Sequence, residues 1–149
     1  SECSRTLVEQ LQPVAAAKGI RLETEIEDAV QVFRGSSWVQ RNLLNLMDNA
    51  IKYTASNGQV RFVLHGEDGR ACIGIHDTGV GISRESLPHI FERFYRVDPA
   101  RSKEVEGAGL GLSLVQWGVE RHNGTISVES SLSVGTSFEV RLPLHIKKI

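Results

Sequence analysis

The sequence predicts an α+β fold, a two-layer α/β sandwich whose mixed, largely antiparallel sheet is covered on one face by three helices. Apolar residues recur at helical spacing in three stretches, near 6–18, 37–53 and 110–121, while the segments between them alternate as strands do. Two strand pairs are separated only by turn signals, which makes them antiparallel hairpins. A chain of 149 residues is one domain's worth, long enough to bury roughly 70% of its unfolded surface.

In chain order, Leu7, Val8, Leu11, Val14, Ala15 and Ala17 define a packing helix, with Pro13 expected to kink it and Gly19 to stop it. Arg21 to Ile26 reads as a half-buried strand, and Val30 to Phe33 as a short partner. Ser36 or Ser37 supplies an N-cap for a helix running to about Tyr53. Ser56-Asn57-Gly58 turns the chain into strand Val60 to Leu64, and Glu67-Asp68-Gly69 into strand Ala71 to His76. Ser83 to His89 suits a short helix ended near Pro88. Residues 90–108 carry Phe91, Phe94, Tyr95, Arg93, Arg96, Arg101 and Lys103 without either period, as functional lids or disordered pieces do. A helix from Gly107-Ala108-Gly109-Leu110-Gly111-Leu112 to about Arg121 puts Leu112, Val115 and Val119 in the core, and Asn123-Gly124 caps it. Thr125 to Glu129 and Thr136 to Leu142 form the last hairpin through Ser133-Val134-Gly135.

The balance of 17 basic and 18 acidic residues, net charge -1, argues against nucleic-acid or membrane-surface binding, both of which usually leave a basic excess. No apolar run approaches the roughly 20 residues of a bilayer span, and the first residues do not form a signal peptide. Cys3 and Cys72 make neither a disulfide framework nor a zinc motif, which fits a reducing cytoplasmic setting.

Three features carry chemistry. On the second helix, Asn45, Asn49 and Lys52 fall in one stripe at about 100° per residue, while Leu43, Leu46, Met47, Ala50 and Ile51 cover much of the rest. Asn disfavours a helix interior, so two of them one turn apart suggest oxygen ligation of a hard metal; a solvated face is the other reading. Asp77 ends a strand and is followed by Gly79 and Gly81, so its carboxylate is offered beside backbone that a flat ligand can approach. An ionised carboxylate only accepts hydrogen bonds, which suits the exocyclic amine of adenine and repels the O6 of guanine. A plain turn Asp is the alternative. The glycines at 107, 109 and 111 free backbone N–H groups for anionic oxygen at a helix start, or simply loosen the helix entry. Their spacing is neither the dinucleotide fingerprint nor a P-loop.

The ordered set N-L-M-D-N-A-I-K-Y-T, D-T-G-V-G-I, L-P-H-I-F-E-R-F-Y-R, G-A-G-L-G-L and G-T-S-F closely resembles the N, G1, F, G2 and G3 boxes of the ATP-binding catalytic domain of sensor histidine kinases. That branch belongs to a superfamily with DNA gyrase, mismatch-repair ATPases and heat-shock chaperones. The resemblance covers nearly the whole chain and implies a Bergerat-type ATP-binding fold over residues 1–149, with an ATP lid at about 92–108. By this resemblance, Asn49 and Asn45 would coordinate Mg²⁺, Lys52 would contact phosphate and Tyr53 would pack against the nucleoside. Asp77 would bind adenine N6, supported by Thr136 through water. Gly79, Gly81 and Ile82, with Gly109, Leu110, Gly111 and Leu112, would line the nucleotide, and Arg96 or Arg101 would reach the phosphates from the lid. Phe91 and Phe94 would hold the lid base or dock on a neighbouring helical domain.

ATPase relatives carry a water-activating glutamate four residues before the metal-binding Asn, where this chain has Asn45. An amide cannot take a proton from water, whereas a neutral imidazole already offers a lone pair, so Asn45 favours phosphoryl transfer, with the phosphate-contacting Lys52 as the other expected catalytic residue. The implied partners are ATP, a phosphoacceptor histidine domain and, through it, a response regulator. None of His65, His76, His89, His122 and His145 lies in the phosphoacceptor pattern H-[ED]-x-[RK]-x-P, so the acceptor helices are expected upstream of Ser1. A superfamily ATPase, a serine kinase of the anti-sigma type and a non-catalytic ATP sensor are the alternatives.

Overall fold

A computed structural model describes residues 2–27, 37–67, 69–92 and 111–143. Helix α1 spans Glu2–Lys18, strand β1 Arg21–Ile26, helix α2 Ser37–Lys52, strands β2 and β3 Gln59–Glu67 and Arg70–Asp77, helix α3 Gly111–Arg121, and strands β4 and β5 Thr125–Ser131 and Gly135–Pro143. The strand order is β1-β2-β3-β5-β4. Among the described strands only β1 and β2 pair in parallel and the other three pairings are antiparallel, so the sheet is mixed and largely antiparallel as expected.

The alternation of the strands sorts the sheet into two faces. One carries Leu22, Val60, Phe62, Leu64, Ala71, Ile73, Ile75, Phe138, Val140 and Leu142, all buried with α2's Leu43, Leu46, Met47, Ala50 and Ile51 and α3's Val115 and Val119. This is the single core of the described residues, and its apolar area is what holds the two layers together. The other face is polar and laced with side-chain pairs: Gln59 Nε2 donates to Glu23 Oε2 at 2.7 Å, Arg61 pairs with Glu25, and Arg141 Nε donates to Glu139 Oε1 at 2.7 Å.

Several expectations change in detail. The first helix begins earlier and continues through Pro13, burying Leu11 and Ala15 but leaving Val14 45% exposed. Helix α2 already includes Ser37, and Ser36 lies outside the described residues, as does the expected strand Val30 to Phe33. Instead, β1 has β2 as its partner, reached across α2. Residues 84–86 form a turn, and among the described residues the only helix near Pro88 is a single 3₁₀ turn, Leu87–His89, with Pro88 at its start because that position lacks an obligatory N–H bond. Asn123 takes φ 60° and Gly124 N–H bonds Val119 O at 2.9 Å, closing α3 with a left-handed cap.

Candidate nucleotide site

The C-terminal end of α2 is unusually well tied down. A helix leaves its last carbonyls without intrahelical partners, yet each carbonyl from Asn49 to Tyr53 has a donor here. Tyr53 N–H bonds Asn49 O at 3.0 Å, the Thr54 hydroxyl bonds Ala50 O at 2.7 Å, and Lys18 Nζ bonds both Ile51 O at 2.8 Å and Lys52 O at 2.5 Å. Val80 N–H completes the set on Tyr53 O at 3.2 Å. The Lys18 ammonium also complements the negative end of the helix dipole. Nothing local in the sequence signalled Lys18, because its role depends on α1 packing beside α2.

Along α2, Asn45 is exposed and Asn49 half-buried, and neither side chain has a hydrogen bond among the described residues. The apolar residues predicted to cover the rest of the helix are all buried. Lys52 Nζ lies 3.1 Å from Asp48 Oδ2, an (i, i+4) pair that the sequence reading did not single out. Tyr53 is exposed just past the helix.

Asp77 ends β3, directly opposite Thr136 at the start of β5, and Thr136 in turn faces Ser130 near the end of β4. On this face the polar row Asp77-Thr136-Ser130 closes the apolar rows below it, where Ile75, Phe138 and Val128 pair. Asp77 Oδ1 accepts hydrogen bonds from Gly79 N–H at 2.8 Å and Thr136 N–H at 3.3 Å. Its Oδ2 has no hydrogen-bond partner among the described residues. Burial raises the Asp77 carboxyl above the usual carboxylate range, opposed by the two backbone N–H groups and by the charge of His76.

The loop after Asp77 is clamped to its neighbours. Thr78 N–H bonds Gln59 O at 3.0 Å, Ile82 N–H bonds Ser130 Oγ at 2.7 Å, and Ser133 N–H bonds Val80 O at 2.9 Å. Both loop glycines sit tight against the chain's own backbone. A Cβ on Gly79 would stand 2.4 Å from Tyr53 O, and one on Gly81, at φ +74°, would stand 2.1 Å from Ser131 O. Ile82 and Leu112 are partly buried against the core, and Gly111 opens α3. Arg96, Arg101, Gly109, Leu110 and Phe94 lie outside the described residues. Phe91 stacks edge-on against Phe138, centroids 6.4 Å apart, so it packs on the core near the end of the described stretch 69–92.

Sequence reasoning missed Lys18, Asp48 and Ser130. Of these only Ser130 left a local trace, as a hydroxyl one residue past the expected strand Thr125 to Glu129 and two beyond Val128. Each described histidine has a polar partner: His65 faces Glu67 at 3.6 Å, His76 Nδ1 meets Ser137 Oγ at 2.9 Å, His89 meets Glu92, and His122 Nδ1 meets Gly118 O at 2.8 Å. His145 lies outside the described residues. No described helix is long and apolar enough to cross a membrane.

Residues 35–146 match the family model described as histidine kinase-, DNA gyrase B-, and HSP90-like ATPase. The chain belongs to this family. Its place in the histidine kinase branch rests on its relatives. This histidine kinase catalytic domain is 38% identical over 139 residues to the sensor histidine kinase RppB of Synechocystis, covering 93% of this chain and 31% of that protein. It is 40% identical over 143 residues to the sensor histidine kinase YclK of Bacillus subtilis, covering 94% and 30%. The domain therefore spans about a third of the length of these curated relatives. Among solved structures, the mycobacterial sensor histidine kinase MprB superposes with a TM-score of 0.82 at 32% identity, covering 96% of this chain and 94% of that one. A full-length ShkA in complex with AMPPNP superposes at 0.80 with 28% identity, covering 96% of this chain and 29% of that one.

Proposed function

We propose that this domain binds Mg-ATP and transfers the γ-phosphoryl group to a histidine on a separate dimerisation and phosphoacceptor domain, from which a response regulator receives it. Asp77 carries the reading. Its carboxylate stands at the end of a core strand, with one oxygen fixed by two backbone N–H groups and the other without a hydrogen-bond partner among the described residues. That is the arrangement needed to accept a hydrogen from the adenine amine. The ShkA relative, solved with AMPPNP, supports an adenine nucleotide as ligand.

The donor set on α2 suits Mg²⁺. Two amide oxygens without partners among the described residues stand one turn apart, and Mg²⁺ prefers a few oxygen donors alongside phosphate and water. Asn49 and Asn45 would hold the ion, which when bound supplies charge neutralisation to the phosphates. Lys52 would leave Asp48 for a phosphate oxygen; an exposed (i, i+4) pair is worth only about 0.3–0.5 kcal/mol and yields easily. Tyr53 would pack on the nucleoside, Thr136 would hold Asp77 in place, and Gly79, Gly81, Ile82, Gly111 and Leu112 would line the site. Arg96, Arg101, Gly109 and Leu110 would complete it from the lid. The amide at Asn45 cannot accept a proton from water, so hydrolysis without an acceptor is slow. The site of action is the cytoplasm.

Calorimetry and phosphate release on the isolated chain test this directly. The expected result is saturable Mg-ATP binding with phosphate release near background. Rapid release identifies an ATPase, and an absence of binding defeats the proposal.

The raised Asp77 pKa gives a pH signature. The carboxylate must be ionised to accept the amine, so ATP affinity falls as pH drops through the Asp77 value, earlier than an ordinary carboxylate would dictate. Folding responds with the opposite sign: between the ordinary and the raised value the native state holds the proton and the unfolded chain does not, so stability falls as pH rises through that window. Subtracting Asp77→Asn titrations from wild type, by calorimetry and by urea unfolding, isolates both effects from the titration of ATP itself.

A further inference from the structure

The geometry points to Ser130 as a positioning residue that sets the purine preference of the site by fixing the hydroxyl hydrogen of Thr136. This inference rests on the adenine-binding role of Asp77. Three groups meet the Ser130 hydroxyl: Ile82 N–H at 2.7 Å, Gly135 O at 2.9 Å and Thr136 Oγ1 at 2.8 Å. A hydroxyl has one hydrogen to give and two lone pairs. Ile82 N–H can only donate and Gly135 O can only accept, so all three contacts are hydrogen bonds together only when the Ser130 hydrogen goes to Gly135 and one lone pair goes to Ile82. The remaining lone pair takes the hydrogen of Thr136.

The consequence lies on Thr136. With its hydrogen committed to Ser130, Thr136 Oγ1 keeps only acceptor capacity for a ligand. Asp77 and Thr136 are direct partners across β3 and β5, so their side chains emerge on the same face, and Asp77 Oδ2 is likewise an acceptor. Two acceptors side by side are satisfied by a group that brings two hydrogens: an exocyclic amine, or a water that the amine then bonds. A purine with a carbonyl at that corner brings lone pairs against lone pairs. Ser130 thus acts at one remove, and a second role accompanies the first, since its bond to Ile82 N–H ties the loop after Asp77 to the last hairpin.

Binding of ATP and of inosine triphosphate, which replaces the amine by a carbonyl, reads this directly. Ser130→Ala frees the Thr136 hydroxyl to donate toward the base, and the preference for ATP should narrow about three- to tenfold, the range of one hydrogen bond. Ser130→Thr, which keeps the hydroxyl, should restore it. A purely structural role would weaken both nucleotides equally. Thr136→Val also narrows the preference, and it carries the test where Ser130→Ala does not fold; added to it, Ser130→Ala should change the ratio no further. An unchanged ratio in Ser130→Ala, or full additivity in that cycle, overturns the role of Ser130 while leaving that of Asp77 standing. Wild-type chain that binds both nucleotides equally, or neither, overturns both.

Discussion

Asp77→Asn should lower ATP affinity about tenfold to a hundredfold, the worth of hydrogen bonds to a charged group, and remove the preference for ATP over inosine triphosphate. The backbone decides which way the new amide points. Gly79 N–H and Thr136 N–H both bond Asp77 Oδ1, so the carbonyl oxygen of Asn takes that place and its NH₂ replaces Oδ2. A donor then faces the adenine amine, whereas the O6 of hypoxanthine finds a partner. The fold should survive, because both backbone bonds are retained and a neutral amide avoids the burial cost that raises the Asp77 pKa. Above that pKa the variant should be as stable as wild type or more so. Calorimetry with the two nucleotides, beside a urea titration, separates these effects; ATP binding at wild-type strength would remove Asp77 from the base site.

Gly135→Ala should disrupt both fold and binding. Gly135 has φ +144°, a conformation essentially reserved for glycine, and a Cβ there would lie 1.9 Å from Asp77 O and 3.1 Å from Thr78 Cα. Those atoms are backbone at the end of the paired strand β3 and the residue just after it, so they can yield only if β3 and β5 separate at the point that presents Asp77. Strain and overpacking together should cost about 2–4 kcal/mol in urea unfolding, and the folded remainder should bind ATP poorly. Gly69→Ala is the control. It also has positive φ, +74°, but nothing lies within 4 Å of its Cβ, so it should cost only about 1 kcal/mol and leave binding intact.

Much of this was legible in the sequence because the signals were local. The period of α2 separated the buried Leu43, Leu46, Met47, Ala50 and Ile51 from the Asn45-Asn49-Lys52 stripe, and the turn signals placed both hairpins. Strand alternation put Asp77 at a strand end, and the register then brought Thr136 opposite it. What stayed hidden depends on long-range contact. The parallel pairing of β1 with β2 is created by the crossover through α2 and has no local pattern. Lys18 caps α2 from a helix more than thirty residues earlier, and Ser130 acquires its partners only when the last hairpin closes on the loop after Asp77. Glycine positions were visible, while the close approach of Tyr53 O to Gly79 and of Ser131 O to Gly81 was not.

The central claim is phosphoryl transfer to histidine, and the most direct measurement is incubation of this chain with γ-labelled Mg-ATP and the dimerisation and acceptor helices of the parent kinase. The predicted result is rapid labelling of the acceptor, labile in acid and stable in base, as expected of a phosphohistidine, and slowed by Asp77→Asn at ATP concentrations that do not saturate the variant. Release of free phosphate without labelling of the acceptor would contradict it.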